Sequence, residues 1–180
     1  AGTPLLLFQS YRYIPSGMAT TIHFVYPILV LLGCVVFYRE RLTVKKSVCA
    51  ALCLLGISFF STPGESGSPA GVALAFASGV TYALYVLYYS KSGLAEMNTF
   101  KLSFYLSLVS SAGILAGAVL SGKIVYEMPP QAWLLSVLFA FIVSVVATVS
   151  FQAGTARNGP EKSSMLSTFE PLTSIAAGVV

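Results

Sequence analysis

Apolar positions run through this chain in long blocks, and the polar positions fall into short clusters between them. The blocks predict helices over Leu5–Tyr13, Ser16–Tyr38, Lys46–Ser61, Ala70–Ser90, Phe100–Ser121, Gln131–Ala156 and Ser163–Val180. The clusters are turn-rich: "STPGESGSP", "SKSGLAEMN", "GKIVYEMPP" and "RNGPEK". Val48–Ser61, Val72–Tyr89 and Ala132–Phe151 carry no charged residue at all. A helix needs about 20 apolar residues to cross about 30 Å of hydrocarbon, and several blocks reach or approach that length. The pattern predicts an all-α, multi-pass integral membrane protein with no separate soluble domain.

Composition strengthens this reading. Of 180 residues, 56% are hydrophobic and 9% charged, against about 25% charged in soluble domains. The net charge of +4 does not point to nucleic acid, because the basic residues do not gather with aromatics on a soluble surface. They sort by loop instead. Arg39, Arg41, Lys45, Lys46, Lys91, Lys101, Arg157 and Lys162 fall on one side of the membrane, and only Arg12 and Lys123 on the other. The bias places the first group in the cytoplasm, so Ser16–Tyr38 runs outside to inside and Ser163–Val180 runs inside to outside. The chain begins without methionine and stops inside an apolar run, so a fragment is expected.

Enzyme chemistry has little to stand on. The chain has no aspartate, no HExxH and no phosphate loop. Cys49 and Cys53 lie one helical turn apart, and Cys34 is also in an apolar block. With a single histidine in the chain, buried small apolar side chains account for them better than a metal site. No enzyme activity, cofactor or metal is expected.

Two stretches 144 positions apart share a layout, Tyr13–Val36 and Arg157–Val180. Pro27 aligns with Pro171, Thr20 with Ser164, Ile22 with Leu166 and Ile28 with Leu172, and both stretches end in Val-Val. The charge bias gives the copies opposite orientation, as in inverted-repeat transporters. "SGMATTIHFVYPILVLLGCVVFYRERLT", "LCLLGISFF", "GVALAFASGVTYALYVLYYSK" and "FEPLTSIAAGV" resemble the EamA domain of the drug/metabolite transporter superfamily. Pro27 and Glu40-Arg41-Leu42 match its mid-helix proline and cytoplasmic Glu-Arg-Leu, while Tyr82 stands where a tryptophan is common. The resemblance implies ten helices in two inverted five-helix repeats, of which this chain spans late helix three to helix nine. Residues 1–61 are then the end of the first repeat, 62–69 an external linker, and 70–180 a second repeat truncated before its last helix. It further implies alternating-access transport of a small metabolite in the cell membrane; the resemblance allows metabolite export, drug efflux or uptake, and export is the expectation taken forward. A non-transporting scaffold or accessory subunit is the rival function.

Glu170 is the most informative single residue. It lies about ten residues, or 15 Å, into its helix, and an ionisable group at that depth usually faces a cavity or a partner. Pro171 should kink the helix and free the carbonyl of Ser167. Pro27 should do the same for His23, whose imidazole titrates near neutrality when unperturbed. Proton-linked work and a neutral hydrogen bond to a neighbouring helix both remain open for His23. On Ala70–Ser90, Ser78, Tyr82, Tyr85 and Tyr89 share a face that suits a cavity wall, and Gly71, Ala75, Gly79 and Ala83 form a packing stripe. Gln152 serves either the cavity or an interhelical hydrogen bond. Gly113 and Gly117 form a GxxxG that allows a helix contact or a homodimer. The expected partners are therefore a small-molecule substrate and the lipid bilayer, with no nucleic acid.

Overall fold

The computed structural model describes residues 2–59, 68–122 and 129–170. Pro171 and the rest of the last block, most of the 62–69 linker and the loop holding Lys123 lie outside the described residues. So do the side chains of Cys49 and Cys53.

Among the described residues the chain is all α-helical: α1 (Gly2–Ser10), α2 (Ser16–His23), α3 (Tyr26–Tyr38), α4 (Val44–Phe59), α5 (Pro69–Lys91), α6 (Thr99–Ser121), α7 (Pro130–Phe141), α8 (Thr148–Asn158) and α9 (Pro160–Leu166). A π-helical turn, Ile142–Ala147, joins α7 to α8, and a 3₁₀ turn, Leu94–Glu96, precedes α6. Among the described residues, four continuous or nearly continuous helical stretches are long and apolar enough to cross a membrane: Ser16–Tyr38, Pro69–Lys91, Thr99–Leu120 and Pro130–Asn158. This is an all-α, multi-pass membrane protein.

α5 is the central helix and packs against α1, α2 and α3, while α9 rests on α3 and α8. Its small-residue stripe is the reason. Ala75 and Ala83 are buried, and a Cβ added at Gly71 would strike Tyr13 and Ile14 at 2.8 Å. At Gly79 an added Cβ would stand 3.0 Å from the His23 carbonyl oxygen, so backbone meets backbone there. The apolar core centres on Phe24, Val30, Cys34, Val86 and Leu87, between α3 and α5. By contrast, α7 exposes Trp133, Leu134, Leu135, Val137, Leu138, Phe139 and Phe141. Such a face belongs in lipid, where the helix already satisfies its own backbone.

The structure refines three of the expected elements. Ser16–Tyr38 is one membrane-length stretch interrupted at Phe24–Val25, because Pro27 stands at the second position of α3 and cannot donate into the turn before it. The last described helix starts at Pro160 and not at Ser163, with Gly159 at φ 85° turning the chain into it. Gln131–Ala156 contains the π turn, set in the β-branched run Ile142, Val143, Val145 and Val146, whose crowded side chains fit a regular helix poorly.

Candidate functional site

The helix breaks build the site. α2 ends at His23 and α9 at Leu166, and each break falls just before the aligned prolines Pro27 and Pro171. A break turns its helix so that the next residues face inward. Tyr26 follows the first break and Glu170 the second, and both line one cavity of about 910 Å³. Thr81, Tyr82 and Tyr85 of α5 form a second wall, and Phe151 closes a corner with the π-turn residues Val143, Ser144 and Ala147. Thr148 at the end of that turn sends its hydroxyl to the carbonyl of Val143, five residues back, at 2.8 Å.

Tyr26 joins the two broken helices. Its hydroxyl is hydrogen-bonded to that of Ser167. Ser167 spends its own proton on the carbonyl of Ser164 at 2.6 Å, so Tyr26 is the donor. The rings of Tyr26 and Tyr82 meet edge to face at 4.6 Å. Ser167 lines the cavity, but its carbonyl is not free. The Glu170 backbone N–H donates to it at 3.0 Å, because the chain tightens into an i to i+3 turn before the proline.

His23 and Gln152 lie behind the wall and not on it. The His23 ring packs against Tyr26 and Tyr82 at 5.5 and 5.7 Å. Its Nδ1 is 2.9 Å from the Ser78 hydroxyl. That hydroxyl already donates to the Ala75 carbonyl, which makes Nδ1–H the donor. Gln152 is fully buried. Its Nε2 donates to the Tyr85 hydroxyl at 2.8 Å, and its Oε1 accepts from Ser103 at 2.9 Å. Tyr89 donates to the Gln152 backbone carbonyl at 3.0 Å. Tyr85 and Ser103 face the cavity, and Gln152 orients both from behind.

One wall was missed from sequence. Ser103, Ser107, Ser110 and Ser111 of α6 all line the cavity. Their spacing of i, i+4, i+7 and i+8 was available, but serine is common in membrane helices and carries no charge to mark it. Gly113 and Gly117 meet nothing within 4 Å. Among the described residues the lining offers many hydroxyls, several aromatic edges and a single carboxylate, with no lysine, arginine or histidine.

A second polar group lies toward the membrane face that carries most of the basic residues. Lys91 bonds Glu40 at 2.8 Å, Lys46 stands 3.6 Å from the same carboxylate, and Lys46 also pairs with Glu161. The Lys91 ammonium beside Glu40 holds its carboxyl below the usual carboxylate range. Cys34, Glu40 and Glu161 bring three possible metal-ligand atoms within 4.8 Å of one another. Both carboxylates are already matched by lysines, so the arrangement is an ion-pair network.

The comparisons agree with this architecture. A segment of 91 residues is 35% identical to an uncharacterized transporter of Archaeoglobus fulgidus, covering 51% of this chain and 32% of that protein. The chain therefore spans about a third of the length of the relative it matches. No solved structure gives a significant match. The model of the EamA-like transporter family matches residues 1–62 and again 69–180, which is nearly every residue that builds the broken helices and the cavity between them, and the chain belongs to that family.

Proposed function

We propose that this membrane transporter moves a small polar metabolite outward by alternating access, with Glu170 as the group that receives the substrate's cationic centre or exchanges a proton for it. The observation that carries the reading is that Glu170 is, among the described residues, the one carboxylate lining a cavity whose walls also present hydroxyls, aromatic rings and aliphatic side chains. A carboxylate in such surroundings attracts positive charge more strongly than one in bulk water. Residues 1–61 and 70–180 are the two repeats in this reading, joined by an external linker at 62–69. Arg39–Lys46 and Arg157–Lys162 face the cytoplasm of the cell, by the charge bias. The chemistry is binding and release, with no bond made or broken in the substrate.

Glu170→Gln tests the reading, because the amide keeps the shape and suits the low dielectric. The variant should insert and fold normally, while uptake of a labelled metabolite panel into inverted vesicles falls at least tenfold or loses its pH dependence. Normal transport across roughly pH 5–8 would make the acid structural. If the unaltered protein moves nothing from a panel of amino acids, nucleosides and organic cations, the scaffold function takes its place.

A further inference from the structure

We propose that Glu40, Lys46, Lys91 and Glu161 form a latch that closes the cavity toward the basic face of the membrane. The proposal rests on the transport reading above and adds the residues that gate it.

Position comes first. On α5, Tyr85 lines the cavity and Lys91 lies six residues further along, about 9 Å at helical rise. On the other side Ser167 lines the cavity and Glu161 lies six residues earlier, again about 9 Å. Both helices therefore set the network one layer beyond the cavity, on the same side.

Connectivity comes second. Glu40 follows α3 and Lys46 opens α4, within the first family match, whereas Lys91 ends α5 and Glu161 opens α9, within the second. Each ion pair between these sets ties one half of the chain to the other. Alternating access requires the halves to part on one side while they meet on the other, and contacts across that seam must be breakable.

Energetics comes third. Glu161 is 7% exposed, and its Oε1 has no hydrogen-bond partner, while Oε2 alone takes the Lys46 ammonium. A buried carboxylate satisfied on one oxygen is a poor device for stability, since its desolvation is incompletely repaid. The backbone is also held against its preference here. Arg39 sits at φ 53°, a left-handed conformation costly for a residue with a Cβ. That turn lets the Glu40 N–H cap the Cys34 carbonyl at 3.2 Å and brings its carboxylate over Lys91. Lys91 in turn lies 4.9 Å above the Tyr38 ring. Lys46 is the keystone. It stands between two carboxylates that would otherwise repel, and without it the seam carries excess negative charge.

The test reads accessibility and needs no substrate. A single cysteine replaces Ser107 on the cavity wall, in a background where Cys34, Cys49 and Cys53 are alanine. An impermeant maleimide is then added to inverted or right-side-out vesicles, presenting the basic face or its opposite. Lys46→Glu should raise labelling from the basic face at least fivefold and lower it from the other. Lys46→Glu with Glu161→Lys should return both rates toward the starting values, because the swapped pair restores attraction. Where Lys46→Glu fails to accumulate, Glu40→Gln with Lys91→Met opens the other cross-half pair without adding charge and should shift labelling in the same direction. Unchanged labelling in the opened variants, or an equal rise from both faces, would overturn the latch. Flux through the unaltered protein judges the transport reading separately.

Discussion

Tyr26 and Glu170 stand 144 positions apart, immediately before aligned prolines, and line the same cavity. The same offset relates His23 to Ser167. One position of the repeat therefore supplies a phenol from one copy and a carboxylate from the other. The position three residues back supplies an imidazole and a hydroxyl. The Tyr26–Ser167 hydrogen bond joins the two aligned stretches across the cavity wall.

That bond should show measurable coupling. Tyr26→Phe and Ser167→Ala each remove one hydroxyl, and interhelical hydrogen bonds in membranes are worth about 0.6–2 kcal/mol. A double-mutant cycle on unfolding in mixed micelles should return a coupling of about 0.5–1.5 kcal/mol. Strict additivity would mean that the two hydroxyls find other partners at no cost.

The two small-residue motifs should behave oppositely. Gly79→Ala would push a methyl to 3.0 Å from the His23 carbonyl oxygen, where only backbone movement makes room. Overpacking of this kind costs about 1–3 kcal/mol, so the unfolding midpoint should drop by several degrees, and Gly79→Leu should prevent folding. Gly113→Ala and Gly117→Ala meet open space and should leave the monomer's midpoint unchanged. A fall matching that of Gly79→Ala would show that α6 has a tightly packed partner.

Much of this was legible in the sequence because membranes leave few options. Long uncharged blocks must be helices, and the stripe of Gly71, Ala75, Gly79 and Ala83 could be read from spacing alone. The finer features depended on competition between local bonds. Pro27 denies the preceding turn a donor, but whether the helix bends or breaks there depends on what α5 presents, and Gly79 lets the His23 backbone approach closely. Ser167 was expected to hold a free carbonyl, yet the Glu170 N–H reaches it by tightening the turn. The serine wall of α6 was hidden because each serine is individually unremarkable in a helix. The Glu40–Lys91 and Lys46–Glu161 pairs join residues 51 and 115 positions apart, and no local pattern predicts that meeting.

Acid should loosen the charged network before it affects the helices. Lys91 holds the Glu40 carboxyl below its ordinary range in the folded protein. A carboxyl whose folded value is depressed adds stability above its unfolded value and loses it as pH falls through the folded one. Glu40 should therefore contribute fully at neutral pH, and its contribution should fade below the usual carboxylate range, about pH 4. Unfolding midpoints measured from pH 7 downward should fall less steeply in Glu40→Gln than in the unaltered protein. Parallel curves would show that the Glu40–Lys91 bond adds nothing to folding.

His23 provides the sharpest division between the two titratable groups of the broken helices. It stands behind Tyr26 and Tyr82, gives its Nδ1 proton to Ser78, and does not line the cavity. Glu170 does line it. His23→Asn keeps an N–H donor near the position of Nδ1, so the bond to the buried Ser78 hydroxyl can re-form. If transport depends on pH through Glu170, His23→Asn should retain the pH profile and lose at most a few-fold in rate, as expected when one buried hydrogen bond worth about 1 kcal/mol is weakened. His23→Leu should cost more, because it removes the donor to the buried Ser78 oxygen outright, yet its profile should keep the same midpoint. The decisive comparison is the midpoint of flux against pH in His23→Asn and in Glu170→Gln, measured in the same vesicles. A flattened profile in the first and an intact one in the second would move the proton-linked role from the second copy of the repeat to the first.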